Sequence, residues 1–204
     1  NKKDYLNYPR NFKKDLIILK KLKVDFLYKP KKEDIYKSNK KSKIKLNKSD
    51  KVLCAKYRKG HFEGVIKVMK RLTDIVKPNK IFMGEKDYQQ IYLVRKYIKK
   101  KYKSRIVACT TVRNKNYLAL SSRNTLLNKI QLEKAAKLTR TIISLKKNIN
   151  KVDDIESFLL KKKKEIHKLL NIKIEYLDLR SIKKKRITKN IKNSKIFFAY
   201  YIGK

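Results

Sequence analysis

The stretch Ile81 to Gln90, IFMGEKDYQQ, constrains the fold more than any other in the chain. A short apolar run, Ile81-Phe82-Met83, is stopped by Gly84 and followed by Asp87, with Gln90 three places on and an apolar helical pattern behind it. That order predicts a strand, a tight turn and a helix start. Asp87 and Gln90 have the spacing of a capping box, in which each side chain satisfies a backbone N–H of the other end. Gly84 leaves room for a ligand to approach the backbone, and the helix behind Asp87 offers free N–H groups and the positive end of its dipole. Lys86 adds a mobile cation, so the place suits an anion, a phosphate above all. An ordinary capped strand-to-helix connection has the same spacing.

A second stretch strengthens the phosphate reading. Leu118 to Asn124, LALSSRN, sets two hydroxyls beside an arginine. Hydroxyls donate to phosphate oxygens and Arg123 can hold two of them at once. Helices and strands alternate through the first part of the chain: a strand at Val24 to Tyr28, a helix from Gly60 with apolar residues Val65, Val68, Met69, Leu72 and Val76, a strand at Lys80 to Met83, a helix from Tyr88 to about Lys101 facing inward with Ile91, Val94, the Arg95 stem and Ile98, and a strand at Arg105 to Thr110. Such alternation predicts a Rossmann-like, doubly wound parallel sheet with ligands at the carboxyl ends of its strands. Gly84 and Ser121 are both expected just past such ends, facing one crevice.

These residues carry a resemblance. GEKDYQQ, then Thr111 to Arg113, then LALSSRN, with GHFEGV at Gly60 to Val65 and DYLNYPRNFKKD at Asp4 to Asp15 upstream, are similar to the pantoate–β-alanine ligases, the pantothenate synthetases, across nearly the whole chain. The resemblance implies that pantoate's carboxylate attacks the α-phosphate of Mg-ATP to give pantoyl-adenylate and pyrophosphate, after which the β-alanine amine displaces AMP. It implies an ATP site lined by Gly84, Glu85, Lys86, Asp87, Val112, Leu120, Ser121, Ser122 and Arg123. Lys86, Ser121, Ser122 and Arg123 would stabilise developing charge, and Gln90 would hold pantoate. Tyr8 and Asp15 would lie near the site, Asp15 near the magnesium-bound phosphates; equally, Asp15 is a solvated helix carboxylate. His61 lines the nucleotide pocket or serves as a local hydrogen-bonding residue. A cytoplasmic homodimer is the expected form. Competing readings are a nucleotidyltransferase that activates another small acid and a basic nucleic-acid-binding protein.

The sequence departs from that family at several points. Thr110, Asn116 and Tyr117 stand where the family has proline and Asp-Gly, so the turn that aims LALSSRN is expected to be reshaped, because tyrosine adopts a left-handed conformation poorly. The family's histidine-x-glycine-histidine signature and the segment that follows it are not in these 204 residues. The expectation is therefore an N-terminally incomplete form, inactive or unstable alone, whose nucleotide-binding domain spans 1–124 without its first βα unit. A small α+β lid follows over 125–204, with helices from Asn128 to about Lys147 and from Val152 to Leu170, and strands at Ile172 to Leu179 and Lys195 to Ile202.

Charge sets the remaining bounds. The chain has 59 Lys and Arg against 17 Asp and Glu, a formal charge of +42. Such a balance ordinarily points to nucleic acid. Only ten of the 59 are arginine, however, and the lysines spread through almost every segment beside abundant Ile, Asn and Tyr, residues that share AT-rich codons. No specific nucleic-acid partner is expected, and clusters such as Lys161 to Lys164 and Lys183 to Arg186 read as solvated faces. Cys54 and Cys109 lack motif spacing and read as reduced thiols, Cys109 buried in its strand. No apolar run approaches the ~20 residues of a membrane span.

Overall fold

The computed structural model describes residues 6–36, 44–99, 101–182, 187–188 and 190–203. The Lys183 to Arg186 cluster and the first residues of the Asp4 to Asp15 segment lie outside them. Packing divides the chain into two compact units, 1–46 with 60–109, and 47–59 with 110–204. The expected boundary at 124/125 lies inside the second unit, which also takes in 47–59.

The first unit is built on two strands, β1 (Lys80–Gly84) and β2 (Arg105–Cys109), which pair in parallel in register from Lys80 opposite Arg105 to Gly84 opposite Cys109. A parallel pair needs a crossover connection, and α5 (Tyr88–Ile98) supplies it. Ile91, Val94 and Ile98 recur at helical spacing, are buried with Ile106, and draw in Val65, Met69, Ile81 and Met83. Arg95 Nη2 donates to the Ile106 carbonyl at 3.2 Å, tying the helix to β2.

Among the described residues, the α-helices before α5 include α1 (Phe12–Lys21), α2 (Lys32–Tyr36), α3 (Cys54–Tyr57) and α4 (His61–Val76). Asn11 caps α1 by accepting from the Lys14 N–H at 3.0 Å. Val24 to Tyr28 forms no strand, since none of the described backbone offers it a ladder, and Phe26 is 92% exposed. Leu46 is buried as part of a loop. In α4 the fully buried side chains are Phe62, Ile66 and Thr73; of the expected face Val65 and Met69 pack on the core and Val76 is exposed, so the inner face is turned only in part. Thr73 is accommodated because its hydroxyl donates to the Met69 carbonyl at 2.7 Å. Cys109 is exposed, contrary to expectation. Its register partner is Gly84, which has no side chain to cover it.

A polar pin closes this unit's far end. Tyr102 Oη donates to Asp74 Oδ1 at 2.6 Å, and Lys101 Nζ donates to the same oxygen at 3.0 Å. The Tyr102 hydrogen bond, ahead of the lysine, holds the Asp74 carboxyl below its ordinary range. Because the folded value is depressed, the stabilisation is present above the unfolded pKa and is lost as pH falls through the folded one. We expect Asp74→Asn to flatten the acid limb of the stability–pH profile below about pH 4 while leaving neutral stability within about 1 kcal/mol, as denaturant titrations across pH would register.

The second unit packs α6 (Lys129–Asn148) and α7 (Ile155–Leu170) against an antiparallel pair, β3 (Lys173–Ser181) and β4 (Ser194–Tyr201). Asn128 and Gln131 form a full capping box at the start of α6, and Asp154 caps α7. The core is continuous across Leu138, Ile142 and Leu145 of α6, Leu159 and Ile166 of α7, and Ile174, Leu177 and Leu179 of β3. Tyr176 is also buried: Tyr57 of α3 stacks on its ring at 6.0 Å, and Cys54 Sγ lies 2.9 Å from its hydroxyl. Burial pushes that phenol up, so it stays neutral.

Candidate functional site

In the first unit the candidate residues follow β1. Gly84 ends the strand in an extended conformation, and a Cβ added there would meet nothing within 4 Å, so the backbone is open to approach. Glu85 to Asp87 form one 3-10 turn that runs directly into α5. This overturns the expected capping box: Asp87 sits inside the turn at φ −98°, ψ 51° and makes no side-chain cap. Its carboxylate instead lies 3.9 Å from Lys86 Nζ, a loose pair in which Asp87 is 65% exposed. A contact so exposed contributes little, which leaves the Lys86 ammonium available to an anion. Gln90 stands half-buried at the third position of α5, beside Tyr88 and Gln89, which sequence reasoning passed over. Burial raises the Tyr88 phenol above its ordinary value, and the positive charge of Arg95 opposes the rise, so Tyr88 is a neutral donor. The signal for both residues was their place in the first turn of α5, one and two positions before Gln90.

In the second unit Val112 to Leu120 fold back as a hairpin. Leu120 N–H donates to the Val112 carbonyl at 3.0 Å, and Arg113 bridges Ala119 antiparallel. Ser121 therefore follows a hairpin, not a parallel strand as expected. Asn114 makes the turn: its Oδ1 accepts from the N–H groups of Asn116 and Leu118, each at 3.0 Å. Tyr117 takes the left-handed position with φ 67°, and Arg113 Nη1 donates to its carbonyl at 2.9 Å. The departure from Asp-Gly is thus absorbed by strain at one residue, held by Asn114 and Arg113. A left-handed conformation costs a non-glycine residue about 1–2 kcal/mol, and glycine's freedom in the unfolded chain gives back about 0.4–1 kcal/mol of that. Tyr117→Gly should leave stability unchanged or raise it by up to about 1.6 kcal/mol, measured by chemical denaturation; a loss of stability would show that the Tyr117 ring contributes packing.

Leu118 is buried and anchors the hairpin, while Val112 and Leu120 are exposed. Beyond it, Ser121 Oγ accepts from the Arg123 N–H at 3.3 Å, opening a 3-10 turn over Ser122–Leu126. Asn124 Nδ2 donates to the Ala119 carbonyl at 3.0 Å and fastens the turn to the hairpin. Ser122 and Arg123 are exposed on it. Val112, Leu120, Ser121, Ser122 and Arg123 are thus gathered in one loop cluster of the second unit, and Gly84 to Gln90 in one turn of the first.

Asp15 is exposed in the first turn of α1, where a carboxylate also complements the helix dipole. Tyr8 is partly exposed, and the His61 ring tilts against Phe62 at 5.0 Å between centroids. Among the described residues no three His, Cys, Asp or Glu side chains come together as a metal site. No described helix is long and apolar enough to cross a membrane.

A parallel strand pair with its crossover helix, its first strand ending in an open glycine turn, and a second, α+β unit define a Rossmann-like α/β protein. The family model for pantoate-beta-alanine ligase matches residues 1–204. The chain therefore belongs to the pantoate–β-alanine ligase family. It is 34% identical to the pantothenate synthetase of Campylobacter hominis, with 98% of this chain and 74% of that protein covered. It is 33% identical to that of Thermosipho africanus, covering 86% of this chain and 64% of the relative's length. The crystal structure of the Francisella tularensis pantoate-beta-alanine ligase complexed with beta-gamma ATP and beta-alanine superposes with a TM-score of 0.78 at 32% identity, over 100% of this chain and 70% of that one.

Proposed function

We propose that the chain belongs to an enzyme that carries out the ATP-dependent ligation of pantoate and β-alanine to pantothenate. The observation that carries this reading is the family match along the whole chain, 1–204, with both phosphate-seeking loops inside it. In the first step a pantoate carboxylate oxygen attacks the α-phosphorus of Mg-ATP, forming an acyl-phosphate bond while pyrophosphate leaves. In the second the β-alanine amine nitrogen attacks the acyl carbon and releases a proton to solvent, the amide forms, and AMP departs with the bonding electrons.

Both steps load negative charge onto oxygens, and fixed donors in place before reaction are the most effective way to stabilise it. Lys86 supplies a point charge, Ser121 and Ser122 supply hydroxyl donors, and Arg123 a fork that matches two phosphate oxygens. Gly84, Glu85 and Asp87 border the nucleotide with Val112 and Leu120, whose exposed side chains offer apolar surface to the adenosine. Gln90 takes the pantoate carboxylate or hydroxyl. Magnesium arrives with ATP as part of the substrate and keeps most of its ligands as phosphate and water, so one carboxylate, Asp15, suffices on the protein side. The reading carries with it a cytoplasmic homodimer.

Titration of the full chain with Mg-ATP by calorimetry tests it. Each of Lys86→Ala and Arg123→Ala removes hydrogen bonds to charged groups of about 1.5–3 kcal/mol, so each should weaken binding about 10- to 100-fold. A folded parent that takes up no Mg-ATP would sink the proposal. So would two variants that bind like the parent.

A further inference from the structure

Lysines that are dispersed along the sequence are gathered by the second unit onto two neighbouring helix faces. In α7 the buried residues are Ile155, Leu159, Ile166 and Leu170. At about 100° per residue, Lys161, Lys164 and Lys168 fall within about 60° of one another on the opposite side, and all three are exposed. α6 turns Leu138, Ile142 and Leu145 to the same core and leaves Lys137 and Arg140 exposed. Between the two helices runs a groove of about 520 Å³. Thr141, Ser144 and Asn148 form its α6 wall, and Phe158 and Leu169 its α7 wall. Lys162 Nζ lies 2.7 Å from Glu165 Oε2 and 5.7 Å from the Phe158 ring centroid, so the carboxylate that lines the groove is already paired. On the α6 rim the acidic side chain is Glu133, exposed four residues before Lys137.

We propose that this groove binds single-stranded nucleic acid without sequence preference, independently of the ligase reading. Such sites combine basic rims that track the phosphodiester backbone with an aromatic face for a base and a few hydroxyl or amide groups between. Phe158 stands in the groove's wall with Thr141, Ser144 and Asn148 opposite, and the helices that flank the groove carry exposed Lys137 and Arg140 on α6 and exposed Lys161, Lys164 and Lys168 on α7. The net charge of +42 supplies long-range attraction for any polyanion, and the groove selects among them. A duplex keeps its bases stacked inside and offers Phe158 no face.

The experiment is fluorescence anisotropy of a labelled twelve-residue oligouridylate on the full chain, across a salt series. Each phosphate contact contributes about 0.7 to the slope of log affinity against log salt for a single strand. Reversal of Lys161, Lys164 and Lys168 to Glu should weaken binding at least tenfold and lower that slope by about 2. The milder change of all three to Gln gives the same direction if the reversal disturbs folding by circular dichroism. Phe158→Leu, which keeps the packing, should weaken binding about three- to tenfold with the slope unchanged. Two results overturn the proposal. One is equal loss when Lys13, Lys14 and Lys20 of α1 are reversed instead, which would make the attraction diffuse. The other is inorganic polyphosphate binding as tightly as the oligouridylate with Phe158→Leu silent, which would leave a polyanion effect without a base site.

Discussion

Leu138→Ala is expected to cost about 3–5 kcal/mol of stability and to lower the midpoint of thermal unfolding by on the order of 10 °C. Leu138 is fully buried in α6 at the centre of the core that joins Ile142, Leu145, Leu159, Ile166 and Leu177. Removing its branched end loses transfer free energy and leaves a cavity, and the surroundings are poorly placed to collapse into it. α6 is held by its capping box at one end and by the continuing backbone of Ile149 at the other, and the strand pair beneath it is fixed by its ladder. Set against a typical domain stability of about 5–15 kcal/mol, the change takes a large share. Denaturant unfolding with an unchanged slope is the measurement, and a loss under about 1.5 kcal/mol would mean that the unit repacks. The consequence reaches the site, because the hairpin and turn that carry Ser121, Ser122 and Arg123 belong to the same unit.

Elements whose signals are local were legible in the sequence. α6 begins where Asn128 and Gln131 have capping-box spacing, α5 follows the period of Ile91, Val94 and Ile98, and β3 and β4 follow their apolar alternation. Where partners elsewhere in the chain decide the outcome, local signals misled. Asp87 and Gln90 have the same spacing as Asn128 and Gln131, yet only the second pair forms the box, because Glu85 to Asp87 are wound into a 3-10 turn by the short exit from β1. In α4 two helical stripes compete: Phe62 and Ile66 are buried, Val65 and Met69 pack on the core that α5 shares with β1 and β2, and Val76 is left exposed. Val24 to Tyr28 has strand composition, but a strand is a relation between two backbones and composition supplies only one.

The site was legible to the same degree. The open turn after β1 and the hydroxyl–arginine turn at Ser121 to Arg123 lie where their residue types put them. The hairpin that presents the second turn was hidden, since it depends on Asn114 capturing two backbone N–H groups and on Tyr117 tolerating a left-handed conformation. The groove of the second unit was hidden for a related reason: its two walls, Thr141, Ser144 and Asn148 on one side and Phe158 and Leu169 on the other, meet only when two helices share a core.

Val94→Asp is expected to remove Mg-ATP binding altogether, although Val94 is far too buried to touch a ligand. Val94 is 0% exposed and sits among Ile91, Ile98 and Ile106, with Ile81 and Met83 of β1 packed on the same cluster. A carboxylate there finds no described hydrogen-bonding partner, and an unpaired buried charge is among the few single changes that cost more than about 4 kcal/mol. The cluster that joins α5 to the β1–β2 pair is small, four buried side chains and the partly buried ones around them, so α5 would detach from the strands. Gly84 to Asp87 hold their course only because β1 ends and α5 begins on either side of them, and release of the helix would scatter Lys86 and Gln90. Amide exchange should then show protection lost along α5 and β1, and calorimetry should show no heat of Mg-ATP binding. Val94→Ala separates the causes: it removes two methyl groups, costs about 1–2 kcal/mol at about 0.8 kcal/mol per buried carbon, and should keep most of the nucleotide affinity. Equal loss of affinity in both variants would mean that the turn depends on the shape of the Val94 side chain and not on the attachment of the helix.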